Sequence, residues 1–202
     1  FLPDLQIFSG GILFDYATVS ARLRELAYLN GGVQIVFRDE REASLSDAGD
    51  PHEEIYLYEG GIKEYVTYMN KEKEVLHPDI IYVNSEKDGV QVEAALQWCA
   101  DAYSDSILGF ANNIRTADGG THIEGLKTVL TRTLNTFAKK LGKRKDGDSN
   151  LAGENIREGL TAVLSVKVPE PEFEGQTKTK LGNTEVRGIV DNLVGESLSQ
   201  FL

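Results

Sequence analysis

The sequence predicts an α/β fold, one mixed sheet with helices packed on it, and three stretches predict it. Residues 90–98 set Val90, Val92, Ala94, Leu96 and Trp98 against Gln91, Glu93, Ala95 and Gln97, the period of a strand with one buried and one polar face. Ile123, Leu126, Leu130, Leu134, Phe137 and Leu141 recur at helical spacing over about five turns. Leu160 to Val168 reads as a second strong strand, ended by Pro169 and Pro171. With 202 residues, 41% of them hydrophobic, the chain has material for one or two domains with a proper core.

The other elements follow in order. Val19, Leu23, Leu26 and Ala27 share a face of a helix over residues 18–29, which Asn30-Gly31-Gly32 stops. A strand at Val33 to Phe37 leads into a charged loop, 38–54, which is the candidate domain boundary. The pattern restarts with a strand at Ile55 to Glu59 and a helix with Ile62, Tyr65, Val66 and Met69 on one face. Strands are expected at 80–84 and 106–112 on either side of the alternating one. Thr121-His122-Ile123-Glu124 has the form of a capping box opening the long helix. A polar linker at 142–149 and a helical turn at 155–158 precede the second strong strand, and Asn183 is placed to cap a last helix.

No apolar run approaches the roughly 20 residues that cross a bilayer. Cys99 is the only cysteine, so the expected compartment is reducing and cytoplasmic. The chain opens on Phe1-Leu2-Pro3-Asp4, and its one methionine is Met69, so it reads as an internal piece of a longer protein.

The net charge of −11 argues against a nucleic-acid partner, but the average hides an asymmetry. Residues 38–93 carry 15 acidic against 6 basic side chains, whereas 115–145 carry 8 basic against 2 acidic. That second stretch suits a polyanion, and it equally suits a solvated helix followed by a basic loop.

Signals of catalysis are sparse. His52, His77 and His122 are scattered without a second ligand type at metal spacing, so each reads as a surface or capping residue. No phosphate-loop, nucleophile-elbow or zinc-protease motif occurs. In the loop 175–180, between a strand and a helix, Gln176 and Lys178 stand two apart and offer an amide and an ammonium to one phosphate oxygen. An exposed polar turn would look the same.

Taken in order, several stretches resemble one family, the B subunits of type IIA DNA topoisomerases, on the gyrase side of it. They are Phe1-Leu2-Pro3-Asp4 with Ile7-Phe8, the run from Arg22 to Asn30, Tyr58-Glu59-Gly60-Gly61-Ile62, Glu86-Lys87-Asp88-Gly89 and Ala95-Leu96-Gln97-Trp98. Asn112-Asn113-Ile114, Asp118-Gly119-Gly120-Thr121-His122, Thr131 to Asn135, Arg157 to Leu160, Ser165 to Pro169 and Gln176-Thr177-Lys178 continue it. The resemblance implies that residues 1–54 close a Bergerat-type (GHKL) ATPase domain and that 55–202 form a transducer with the fold of ribosomal protein S5 domain 2, including a left-handed β-α-β crossover.

It also implies roles. Gln176, Thr177 and Lys178 would contact the γ-phosphate of ATP, with Lys178 catalytic, and Arg115, Lys127, Arg132, Lys139 and Lys140 would face double-stranded DNA. ATP and Mg2+ would be held mainly by segments outside these residues, so the chain alone is expected to be inactive. Expected partners are the A subunit in an A2B2 assembly, a second B subunit and DNA, with no membrane. The topoisomerase IV B subunit, a MutL-like or heat-shock-type ATP switch, and an RNA-binding protein of the S5 type remain open.

Overall fold

The computed structural model describes residues 4, 6–7, 13–41, 45–46, 49–143 and 148–202. Arg144 and Lys145 of the basic stretch, and Phe1, Leu2, Pro3 and Phe8, lie outside them. The chain divides into two compact units, Phe1–Gly61 and Ile62–Leu202.

In the first unit, helix α1 (Tyr16–Leu29) starts at Asp15, whose carboxylate accepts from the Thr18 N–H at 2.8 Å. Its buried side chains are Ser20, Glu25, Ala27, Tyr28 and Leu29, whereas Val19, Leu23 and Leu26 are half-buried, so the inward face is turned from the one predicted. Polar contacts explain the turn: the Ser20 hydroxyl meets Tyr56 Oη at 2.7 Å and donates to Glu54 at 3.0 Å. Strands β1 (Ile35–Asp39) and β2 (His52–Tyr56) pair antiparallel, with Ile35 opposite Tyr56 and Asp39 opposite His52. The expected loop is thus shortened at both ends, and the expected boundary at 54/55 falls inside β2; the compact units divide at 61/62.

The second unit is built on a five-stranded sheet in the order β3-β4-β7-β5-β6, with β3 (Ile81–Lys87), β4 (Val90–Trp98), β5 (Ser106–Ala111), β6 (Ile114–Arg115) and β7 (Leu160–Lys167). All neighbours are antiparallel except β5 and β7, which run parallel and are joined by a crossover through α3 (Thr121–Lys140) and α4 (Gly153–Arg157). Asp88 (φ 52°) and Gly89 (φ 77°) turn β3 into β4, and Asn112 (φ 49°) with Asn113 (φ 64°) turns β5 into β6. The sequence reading missed β6, a two-residue strand with no period to detect.

Helices α3 and α5 (Thr184–Phe201) cover one face of this sheet, where Val92, Ala94 and Leu96 of β4 and Ala162, Leu164 and Val166 of β7 meet Leu126, Val129, Leu130, Val190 and Val194. The other face is not simply polar. Helix α2 (Ile62–Met69) brings Ile62 and Val66 over Ala95 and Val163, and Asn70 donates to Gln97 at 3.0 Å and accepts from Thr161 at 2.6 Å. Strand β7 is therefore buried along nearly its whole length.

Two predicted capping bonds do not form. Thr121 is the first residue of α3, one position inside the N-cap Gly120, so its hydroxyl makes no capping bond, and its N–H is given to Leu181 O at 3.1 Å. Asn183 stands at the N-cap of α5, as expected, but makes no side-chain capping bond; its side chain accepts from Glu172 N–H at 2.7 Å and donates to Glu170 O at 3.1 Å, closing the segment before the helix. The apolar stripe of α3 is buried from Ile123 to Leu130 but fades toward Leu141, which is exposed. Among the described residues no helix is long and apolar enough to cross a membrane.

Leu164, fully buried at the centre of β7, makes the core testable. Leu164→Ala is expected to cost about 2–5 kcal/mol of unfolding free energy, read from urea denaturation.

Candidate phosphate-contacting loop

Between β7 and α5 the chain makes a hairpin whose base is buried and whose tip is exposed. Phe173 and Leu181 bridge antiparallel, Glu174 N–H donates to Lys180 O at 2.9 Å and Gly182 N–H to Glu172 O at 2.7 Å. Leu181 is buried in the core shared by the sheet, α3 and α5. Gln176, Thr177 and Lys178 form the exposed tip.

Lys178 stands out there on two counts. Its backbone is left-handed (φ 55°), a conformation that costs an ordinary side chain about 1–2 kcal/mol. Its ammonium lies 5.9 Å from the centre of the Phe173 ring and, among the described residues, has no ion-pair partner, whereas Lys180 beside it is tied to Glu174 at 3.1 Å. The tip thus presents one ammonium and, two residues earlier, one amide, on a turn that the buried base holds in place.

The base is fastened to the start of α3. Asp118 N–H donates to Thr179 O at 2.9 Å, Leu181 N–H to Gly119 O at 3.3 Å and Thr121 N–H to Leu181 O at 3.1 Å. Gly120 sits at φ 130°, and a Cβ there would come within 2.5 Å of both the nitrogen and the oxygen of Leu181. Only glycine fits.

His122 lies directly beneath this junction, and it is neither at the surface nor a cap. It is 0% exposed, its Nε2 is 2.9 Å from Thr116 Oγ1, and Nδ1 has no hydrogen-bond partner among the described residues. Burial pushes its pKa down to about 4. Gly109 of β5 makes room for it, since a Cβ there would stand 2.6 Å from Ile123 Cδ1 and 3.0 Å from His122 Nε2. His77 is also built in: Trp98 N–H donates to its Nε2 at 3.1 Å, so the ring proton is on Nδ1, facing Asp79 O at 2.6 Å. His52 is at the surface, as expected.

The five basic residues read as DNA-facing are not gathered on one surface. Arg132 and Lys139, seven apart on α3, lie within about 20° of each other around the helix, while Lys127 is rotated by about 140° from Arg132. Arg132 is ion-paired to Asp191 of α5 at 2.7 Å, and with Phe137, Lys140 and Asn192 it lines a groove of about 480 Å³. Arg115 is exposed on β6, in the hairpin beyond β5. No group of three or more His, Cys, Asp or Glu suited to a metal ion occurs among the described residues.

Comparison with known proteins then assigns the chain. Residues 61–202 match the family described as DNA gyrase B. The chain belongs to the DNA gyrase B family. It is 70% identical over 202 residues to the DNA gyrase B protein of Synechocystis sp., covering 100% of this chain and 18% of that protein. It is 52% identical over 202 residues to the chloroplastic/mitochondrial DNA gyrase B protein of Oryza sativa subsp. japonica, covering 100% of this chain and 27% of the relative. The chain therefore spans less than a third of either.

Among solved structures, the 43K ATPase domain of Thermus thermophilus gyrase B, in complex with an aminocoumarin, superposes with a TM-score of 0.81 at 36% identity, covering 99% of this chain and 51% of that one. The gyrase name recurs in all three, which favours this family over the topoisomerase IV protein, the switch ATPases and the RNA-binding protein that the sequence left open.

The site generates one prediction about pH. His122 takes up its proton near pH 6.5 when unfolded and near 4 when folded, so its burial stabilises the fold fully above pH 6.5. That contribution, on the order of 3 kcal/mol, is lost as pH falls toward 4. Unfolding free energies measured between pH 7 and 4 are expected to fall more steeply for the natural protein than for His122→Gln.

Proposed function

We propose that this chain is the part of an ATP-driven type II DNA topoisomerase that couples ATP turnover to DNA strand passage and thereby to negative supercoiling. On this reading the first compact unit, up to Gly61, closes the ATPase domain and Ile62–Leu202 is the transducer, a boundary moved from the expected 54/55 because β2 pairs with β1. Family membership and the ATPase-domain neighbour support it. The observation that carries it is Lys178, an ammonium without an ion-pair partner among the described residues, at the exposed tip of a hairpin whose base is buried.

A lysine held on a fixed turn without a resident counter-charge suits an anion that is present only part of the time. Gln176 and Lys178 donate hydrogen bonds to oxygens of the γ-phosphate of ATP, and Thr177 orients the turn between them. A charge-assisted hydrogen bond of this kind contributes about 1.5–3 kcal/mol. As the phosphoryl group transfers, negative charge grows on its oxygens, and Lys178 stabilises that charge more strongly than it stabilises the bound nucleotide. When the phosphate leaves, the tip loses its partner and the loop is released. Lys178 is thus catalytic in the strict sense of touching the reacting group.

Mg2+, the adenine-holding side chains and the base that activates water are supplied by other parts of the protein, since the loop itself offers an ammonium, an amide and a hydroxyl. The partners on this reading are the A subunit in an A2B2 assembly, a second copy of the gyrase B protein, and double-stranded DNA, in a cytoplasmic protein. Arg115, Lys127, Lys139 and Lys140 meet DNA phosphates without reading sequence. Arg132 joins them only by giving up Asp191.

Lys178→Ala in the full-length protein is expected to lower DNA-stimulated ATP hydrolysis about 10²- to 10³-fold with the fold intact by circular dichroism. An unchanged rate would reduce Lys178 to a surface turn residue and leave only the family assignment standing.

A further inference from the structure

The three backbone hydrogen bonds between residues 118–121 and 179–181 join the hairpin to α3 as if the two were adjacent strands. We propose that this junction carries the state of the Gln176–Lys178 tip into α3, and that Gly120 is the positioning residue that makes it possible. The inference rests on the reading of the tip as the phosphate contact and of α3 as a DNA-facing helix. It adds the physical connection between them.

The path from tip to helix has no slack. Gln176 and Lys178 are three and five residues from Phe173, which pairs with Leu181 across the hairpin and packs against the core. Leu181 accepts from Thr121 N–H and donates to Gly119 O, on either side of Gly120. Thr121 begins α3, so a displacement of Leu181 moves the first turn of a 20-residue helix directly. The first turn cannot absorb that motion locally, because His122 is fully buried and wedged against Thr116 and Gly109. Further along, α3 carries Lys127, Arg132, Lys139 and Lys140. Contact at the tip and contact with DNA on the helix therefore bias one rigid body, which is the requirement for coupling two sites.

The test uses the full-length gyrase B protein assembled with its A subunit and measures ATP hydrolysis with and without linear DNA. Gly120→Ala forces Leu181 away from α3. Asp118→Pro removes the N–H that Thr179 accepts from, while Asp118→Ala keeps it. Because the junction also holds the tip, hydrolysis without DNA is expected to fall in Gly120→Ala and Asp118→Pro as well, and the proposal is read from the ratio of the rates with and without DNA, which falls about tenfold in these two variants but not in Asp118→Ala.

A general folding defect would instead lower the melting temperature and both rates in proportion, leaving their ratio unchanged. Natural stimulation in Gly120→Ala and Asp118→Pro overturns the proposal, as does equal loss in Asp118→Pro and Asp118→Ala. Should Gly120→Ala fail to fold, the Asp118 pair decides alone. The outcome is separable from that of Lys178→Ala: if that variant is impaired and the junction variants are not, the tip reads phosphate without signalling through α3.

Discussion

Gly120 and Leu181 meet backbone to backbone with no room for one carbon atom between them, and the geometry around the loop depends on that contact. It sets where α3 begins, because Thr121 gives its N–H to Leu181 and not to a cap within its own helix. It holds the hairpin base in the core, so that an exposed tip can keep one shape. It also accounts for the glycine at position 120, with φ 130° and no room for a Cβ, and a glycine at the N-cap leaves the helix start without a side-chain cap.

The charges are consistent with this at a finer scale than the net value of −11. A protein repelled by DNA on average can still bind it through a local patch, since screening confines each charge to within about 10 Å at ordinary ionic strength. Arg132, however, is neutralised by Asp191, and Lys127 points away from Lys139. The surface free to meet a polyanion is thus smaller than the count of basic residues in 115–145 suggests. A pair such as Arg132 and Asp191, 2.7 Å apart and partly exposed, contributes little to stability and is easily exchanged for a phosphate.

Much of this fold was legible because its strands and helices have strong periods. The alternation in β4, the stripe in α3 and the apolar run in β7 were each read to within a residue or two. The misreadings share a cause. Asn183 is the right residue type for a cap, but tertiary partners took its side chain first, and Thr121 falls one residue inside α3 because the N-cap is Gly120; a sequence displays neither. Ala95 and Gln97 looked like an open face because α2 lies about thirty residues away in sequence, and its packing leaves no local mark. His122 looked like a surface histidine because its cavity is made by the absence of a side chain at Gly109. The tip residues Gln176 and Lys178 were legible as chemistry, whereas their support was not, since a two-residue bridge has no period.

The central claim is that tip and helix behave as one body, and hydrogen exchange of the backbone amides tests it most directly. The full-length protein would be compared with and without a non-hydrolysable ATP analogue, following the amides of Asp118, Thr121 and Leu181, whose N–H groups form the junction. The account predicts that nucleotide slows exchange at all three together, by similar factors, and that Lys178→Ala abolishes the effect. Slowed exchange confined to residues 175–180, with Asp118 and Thr121 unchanged, would contradict it.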